Sequence, residues 1–196
     1  MTTDTALTAE QILSAAEEVL RRFGPAKATV VDVARELGVS HSSVYRHFPS
    51  KAALREAVTQ RWLDQAHHEL ETISIDAGSA AERLERWLTT LFTAKRKKAL
   101  DDPALFATYL VLAGENSAIV EAHVETLVKQ IAQIVHDGTD RREFRLAHIQ
   151  TTARAVFDAT APFHDPMYAP TWSEPTADER FAAVWKLILS GLNAKH

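Results

Sequence analysis

Apolar residues recur at intervals of three and four along nearly the whole chain, and no sustained alternation of polar and apolar residues interrupts them. That period is typical of helices that bury one face, whereas half-buried strands alternate at every second residue. The first helix is predicted to begin after Thr8, which forms a capping box with Gln11, and to end at Gly24 and Pro25. The pattern therefore predicts an all-α protein.

Two short helices are predicted next. Thr29 can cap a helix that runs to Leu37, and Gly38 can end it in a left-handed turn. Ser40 can cap a third helix of about seven residues, because Pro49 disfavours helical geometry in the residue before it. Three helices in this order, the last two joined by a turn that contains glycine, are typical of a helix-turn-helix, whose second helix enters the major groove of DNA.

The remaining pattern predicts six further helices, and so about nine in all. A fourth helix is expected from Ser50 to about Ile73, with Ala66 among its inward residues. A fifth follows the capping box of Ser79 and Glu82 and ends in the basic run from Lys95 to Lys98. That run can bind nucleic acid, but cations also suit the C-terminal end of a helix, and a solvated helix end is the favoured interpretation.

The last four predicted helices are bounded by caps and breakers. Asp102 with Pro103 opens one helix, and Ser117 caps the next, which Gly138 is expected to end. A further helix includes Leu146 among its inward residues, and the final helix is expected to begin with a capping box at Thr176. Apolar residues at three and four give each of them a buried face.

Composition narrows the class of protein. The chain has 196 residues, of which 46% are hydrophobic and 24% charged, and it has no cysteine. Disulfide frameworks and thiolate chemistry are therefore excluded, and a reducing compartment is favoured. The first residues lack the pattern of an export signal, and no run approaches the length of a membrane span. We expect a cytoplasmic protein with no membrane partner.

Charge is distributed unevenly along the chain. The net charge is −4, yet residues 26–55 contain five basic and two acidic side chains, a local balance of +3. A basic segment inside an acidic chain favours a local nucleic-acid contact rather than binding by the whole surface. The predicted helix-turn-helix coincides with this segment.

The third helix presents hydrogen-bonding side chains. Val44 and Phe48 share the face that is expected to pack inward. The residues that point away are His41, Ser42, Ser43, Arg46 and His47. Hydroxyls can bond to phosphates or base edges, and an arginine can reach guanine. The alternatives are a helix-turn-helix that only packs, histidines that are only solvated, and a Tyr45 ring that is half-buried beneath the helix.

The segment "TVVDVARELGVSHSSVYRHFPSKAAL" resembles the DNA-binding segment of the tetracycline-repressor (TetR) family of bacterial transcription regulators. The resemblance rests on the Gly-Val turn, the aromatic residue in "VYRHF", and the polar pair and lysine in "PSKAAL". It implies phosphate contacts by Thr29, Tyr45, His47 and Lys51. It also implies base contacts by His41, Ser42, Ser43 and Arg46.

The resemblance further implies a functional organisation. Residues 1–55 are expected to form the DNA-binding domain, and residues 56–196 a helical domain for ligand binding and dimerisation. The implied protein is a one-component regulator, most simply a repressor, that binds a near-palindromic operator as a homodimer and is released by a small molecule. The alternative is an interaction module or coactivator of the same fold, whose C-terminal domain binds a protein rather than a metabolite.

Two further sets of residues are candidates for function. Aromatic and apolar residues that can line a ligand cavity, or that fill the core instead, are Trp87, Phe92, Phe106, Tyr109 and Leu110. The family resemblance implies a four-helix dimer interface, for which the apolar candidates, if they do not simply cover the protomer's own core, are Val156, Phe157, Phe181, Val184, Trp185, Ile188 and Leu192. The histidines match no metal-binding or catalytic spacing, so we expect no enzyme, no metal site and no cofactor.

Overall fold

The computed structural model describes residues 7–65, 67–145 and 147–193. These residues form ten α-helices and two short 3-10 helices, with no strand among them, which confirms the all-α prediction. The α-helices are α1 (Ala9–Lys27), α2 (Val30–Glu36), α3 (His41–His47), α4 (Lys51–Asp64), α5 (His67–Ile75), α6 (Ala80–Asp101), α7 (Pro103–Glu115), α8 (Ser117–Asp140), α9 (Ile149–Ala159) and α10 (Ala177–Leu192). The 3-10 helices, Ala161–Phe163 and Pro166–Thr171, lie in the proline-rich connection before α10.

The chain divides into two compact units that interleave in sequence. One comprises Met1–Leu63 and Asp102–Val120, and the other comprises Asp64–Asp101 and Glu121–His196. The predicted functional boundary after residue 55 stays a prediction. Among the described residues, no single helix is both long and apolar enough to cross a membrane.

The first unit packs α1 to α4 together with α7. The predicted capping box at the start of α1 is confirmed, because Thr8 and Gln11 bond to each other's backbone N–H groups. The predicted break is confirmed as well: Gly24 has φ +72°, and one helical turn follows it. Trp62 stacks on Tyr109 with the ring centroids 4.6 Å apart, and the Tyr109 hydroxyl donates to Glu17. Burial and the neighbouring Glu17 carboxylate raise the pKa of Tyr109, so it remains a hydrogen-bond donor.

The second unit has its own apolar core, contributed by α5, α6, α8, α9 and α10. Trp87, Ile131 and Ile134 are fully buried in it, and the Trp87 indole donates to Gln130 at 3.1 Å. Arg83 is also buried, and it donates to the Ser74 carbonyl and to Asp137. The capping box predicted at Ser79 and Glu82 is present at the start of α6.

Two predicted helices differ from the structure. The single helix expected over residues 50–73 is two helices, since α4 ends at Asp64 and α5 begins at His67. The Asp64 carboxylate contacts the His67 ring at 2.9 Å across this break. At the start of α10, Thr176 makes no capping bond through its side chain, so the capping box predicted there is wrong. The predicted inward residues Ala66 and Leu146 lie outside the described residues.

Two expectations about helix ends are wrong for reasons of packing. Gly138 lies inside α8 rather than at its end, and a Cβ atom there would lie 2.5 Å from Phe144 and 2.6 Å from Ala80. Glycine is required by this close approach, not by a turn. Likewise α6 continues to Asp101, and Lys95 is buried rather than solvated at a helix end.

Candidate nucleic-acid interface

The turn between α2 and α3 sets the position of the recognition helix. Gly38 has φ +65°, its N–H donates to the Arg35 carbonyl, and the N–H of Val39 donates to the Ala34 carbonyl at 3.0 Å. These two bonds form a Schellman motif, which favours glycine at the left-handed position. The turn redirects the chain, and the fully buried Val44 then fixes α3 to the unit.

The start of α3 is held by a network of serine hydroxyls. Ser40 accepts a hydrogen bond from the Ser43 N–H at 3.2 Å, and the two hydroxyls lie 2.9 Å apart. Arg46 donates to the Ser43 hydroxyl at 3.4 Å. Ser43 is half-buried, and its hydroxyl already contacts both Ser40 and Arg46.

The other predicted contacts of α3 lie at the surface. His41, Ser42, Arg46 and His47 are exposed. Tyr45 is 41% exposed, and the His41 ring meets it edge-on with centroids 6.3 Å apart. The helix therefore presents imidazole, hydroxyl and guanidinium groups together, which are side chains that bond to base edges and phosphates. Their individual contacts with DNA stay predictions.

The two remaining predicted contacts, Thr29 and Lys51, differ in their surroundings: the Thr29 hydroxyl is already hydrogen-bonded, whereas Lys51 is exposed. The Thr29 hydroxyl donates to Asp32 at 2.6 Å within the capping box of α2, and this bond lowers the pKa of the Asp32 carboxyl. A phosphate contact by Thr29 therefore requires its hydroxyl to turn away from Asp32. Lys51 is exposed in the first turn of α4, where Ser50 caps the Ala53 N–H. A cation is unfavourable near the positive, N-terminal end of the helix dipole. An anionic partner such as a phosphate would offset this repulsion.

The five predicted ligand-contact residues are divided between the two units. Trp87 and Phe92 are buried in the second unit, and Phe106 and Tyr109 are buried in the first. Leu110 is 39% exposed. The indole of Trp87 and the hydroxyl of Tyr109 already have hydrogen-bond partners within their own units. Their assignment to a ligand stays a prediction.

The predicted dimerisation residues differ in burial. The buried ones, which belong to the core of the second unit, are Val156, Phe157, Trp185 and Leu192. The half-buried ones are Phe181, Val184 and Ile188, and Phe181 stacks on Phe92 at 5.4 Å. Beside them, Leu187 is 74% exposed and borders an apolar groove between α9 and α10. Leu187 lies off the inward stripe of its helix, and the structure shows that it borders this groove.

The second unit also brings together three side chains that the predicted motifs do not group. Asp64, His67 and His123 each place one potential ligand atom within 4.8 Å of the others. His67 and His123 are far apart in the sequence, and their rings stack with centroids 4.6 Å apart. Local spacing carries no signal for this group, because its members come from both sides of a helix break and from α8.

Comparison with known proteins defines the class. The model of the tetracyclin repressor-like C-terminal domain matches residues 80–185, which is more than half of the chain. The model of bacterial regulatory proteins of the tetR family matches residues 12–58. The chain belongs to the TetR family of transcriptional regulators, and its helix-turn-helix is the family's DNA-binding element.

Individual relatives agree with this class. The chain is 34% identical over 105 residues to an uncharacterised helix-turn-helix-type transcriptional regulator of Mycobacterium tuberculosis, covering 54% of this chain and 50% of the relative. It is 32% identical over 93 residues to the nucleoid occlusion factor SlmA of Aliivibrio fischeri, covering 46% and 47%. The chain thus spans about half the length of these curated relatives.

A solved structure shows the same fold. A TetR transcription regulator from Haloarcula marismortui superimposes with a TM-score of 0.73 over 94% of this chain and 97% of the other, at 17% identity. At that identity the likeness establishes the architecture, an N-terminal helix-turn-helix followed by a helical domain, and leaves the ligand and operator open.

Proposed function

We propose that the protein is a cytoplasmic transcriptional repressor that binds a near-palindromic operator as a homodimer and is released by a small molecule. The observation that carries this proposal is the exposed surface of α3. Val44 anchors the helix, while His41, Ser42, Tyr45 and Arg46 are presented outward beside Lys51. Phosphate contacts at the flanks would position the helix, and contacts from its exposed face would select the sequence.

The face formed by α9 and α10 supports a homodimer. Small residues on α9, among them Thr151, Ala155 and Ala159, line a groove with Leu187 and Gly191 of α10. Small side chains let helices of a second copy approach closely, and a protruding leucine can fill the groove of its partner. A twofold arrangement of this face is isologous, with each copy giving and receiving the same contacts.

A homodimer predicts a palindromic operator. Two recognition helices that read one face of DNA must lie about 34 Å apart, or at a compatible spacing. A ligand that prefers a different spacing releases the operator, and by linkage the operator weakens the ligand by the same factor. The aromatic residues Trp87, Phe92, Phe106 and Tyr109, with Leu110, remain the candidates for its contacts.

Operator selection with the purified protein tests the proposal. A pool of random duplex DNA is enriched over several rounds and sequenced, and a palindrome with two half-sites is the expected result. Enrichment of no sequence, or of one half-site only, would contradict a dimeric repressor. Light scattering on the same sample should give twice the mass of the protomer.

A second candidate function follows from the nucleoid occlusion factors among the relatives. In that case the protein binds DNA and its helical domain contacts another protein rather than a metabolite. The selection experiment then still yields a DNA sequence. Small-molecule screening against the DNA complex separates the two functions, because only the repressor loses its operator when its ligand binds.

A further inference from the structure

The second unit contains a group of metal-ligating side chains at the end of α4. Asp64 is the last residue of α4, His67 is the first residue of α5, and His123 lies on α8. One donor atom of each lies within 4.8 Å of the other two. Of the residues that the structure describes, these are the ones that meet this criterion for a metal-binding group.

His123 is the unusual member of the group. His123 is only 6% exposed, and neither of its ring nitrogens has a hydrogen-bond partner. The Nε2 atom of His67 is likewise buried and unpartnered. Burying a polar group without a partner is unfavourable, so such a group in a native protein calls for an explanation, and a bound ion or water is one. A neutral imidazole carries one lone-pair nitrogen, so His67 and His123 can each offer one nitrogen to a ligand beside the Asp64 carboxylate.

We propose that Asp64, His67 and His123 bind one divalent transition-metal ion of the zinc type. Two imidazoles and one carboxylate suit zinc, cobalt or nickel, whereas magnesium and calcium prefer oxygen ligands throughout. A fourth position would be taken by water, as in sites with three protein ligands. This proposal stands independently of the function proposed above.

Binding requires a defined rearrangement of the side chains. Zinc lies about 2.0–2.2 Å from its nitrogen and oxygen ligands, so the three donor atoms must approach one another. The two imidazoles are stacked, with 19° between their planes, and an imidazole lone pair lies in the ring plane. At least one ring therefore turns when the ion binds. The Asp64 side chain is 42% exposed and has room to follow.

Two neighbouring lysines should weaken metal binding at this site, and their replacement tests where the ion binds. Lys95 and Lys98 both act electrostatically on His67 and on His123. A divalent cation between the imidazoles is repelled by these ammonium groups, because Coulomb repulsion is strong in a poorly solvated interior. Replacing Lys95 by methionine should therefore tighten metal binding.

Cobalt provides a direct measurement. Tag-free protein, stripped with a chelator, is titrated with Co²⁺, and the visible absorption of bound cobalt reports the site. One ion per protomer is expected. His67→Gln and His123→Gln should lose the absorption, Lys95→Met should bind more tightly, and His68→Gln, which alters the adjacent exposed histidine, should match the wild type. Absence of cobalt binding by the wild type, or binding retained in His67→Gln, would overturn the proposal.

Circular dichroism monitors folding of each variant. If His123→Gln does not fold, Asp64→Asn takes its place, because the Asp64 side chain is 42% exposed. Weaker cobalt binding by folded Asp64→Asn is then the expected result. Unchanged affinity in that variant would remove Asp64 from the ligand set and with it the proposed site.

Coupling of the site to DNA rests on the proposed function. One continuous helix, α4, carries Lys51 at one end and Asp64 at the other, about 20 Å apart at 1.5 Å per residue. Zinc should therefore change operator affinity in the wild type and not in His67→Gln. Equal affinity with and without zinc would exclude the coupling but not the site. Failure to select any operator would count against the proposed function, while the cobalt titration would still decide the metal site.

Discussion

Lys95 allows one prediction to be developed from the structure. Its side chain is buried on α6, and burial lowers its pKa to about 8, against an ordinary value of 10.5. At about 1.4 kcal/mol for each pH unit, the charged form is disfavoured by about 3 kcal/mol in the folded protein. Methionine has a similar length and no charge. Lys95→Met should therefore raise the free energy of unfolding at pH 7, by up to about 3 kcal/mol.

The pH dependence of the free energy of unfolding tests the direction of this prediction. Between pH 8 and 10.5 the folded wild type releases the Lys95 proton while the unfolded chain retains it, so wild-type stability rises with pH in this window. The advantage of Lys95→Met should therefore shrink from pH 7 to pH 9.5. Below pH 8 both states of the wild type carry the charge, and the advantage should stay constant.

Urea unfolding followed by circular dichroism measures both effects. Lys97→Met on the same helix is a matched control, because the Lys97 side chain is 73% exposed and its ion pair is with the exposed Asp101. Its effect should remain within about 0.5 kcal/mol at every pH. A destabilised Lys95→Met at pH 7, or a constant difference from the wild type between pH 7 and pH 9.5, would refute the reasoning.

Three further predictions concern DNA binding, assembly and packing. Lys51→Ala should weaken binding to all DNA sequences and reduce the slope of log affinity against log salt by about one; an unchanged slope would remove Lys51 from the phosphate contacts. Leu187→Glu should give a folded species of half the wild-type mass by light scattering, because the side chain is 74% exposed in the protomer and a carboxylate is costly to bury; a stable dimer would exclude this face. Gly138→Ala should lower the unfolding midpoint in urea, since overpacking of about 1–3 kcal/mol exceeds the gain of about 1 kcal/mol in helix propensity. Gly114→Ala, where the new Cβ atom meets no neighbour, should raise that midpoint instead, and similar behaviour of both variants would contradict the packing argument.

Local sequence signals predicted much of the interface. The capping residues Thr8, Thr29 and Ser40 act through bonds to the backbone within three residues, and the left-handed Gly38 needs only its own turn. Such features follow from short-range stereochemistry, so the helix-turn-helix was predictable in detail. The side-chain partners of Thr29 and Ser43 were less predictable. The Thr29 hydroxyl bonds to Asp32 and the Ser43 hydroxyl to Arg46, and the sequence allows several arrangements of such short-range bonds.

The sequence by itself determined the helical class, the helix-turn-helix and the presence of an outward polar face on α3. Periodicity and capping act over a few residues, and they survive without knowledge of the fold. Only the tertiary structure decided that Lys95 is buried, that Gly138 makes room for Phe144, and that His67 lies against His123. Each of these depends on which faces of distant helices meet, and a helical repeat specifies a buried face without specifying its partner.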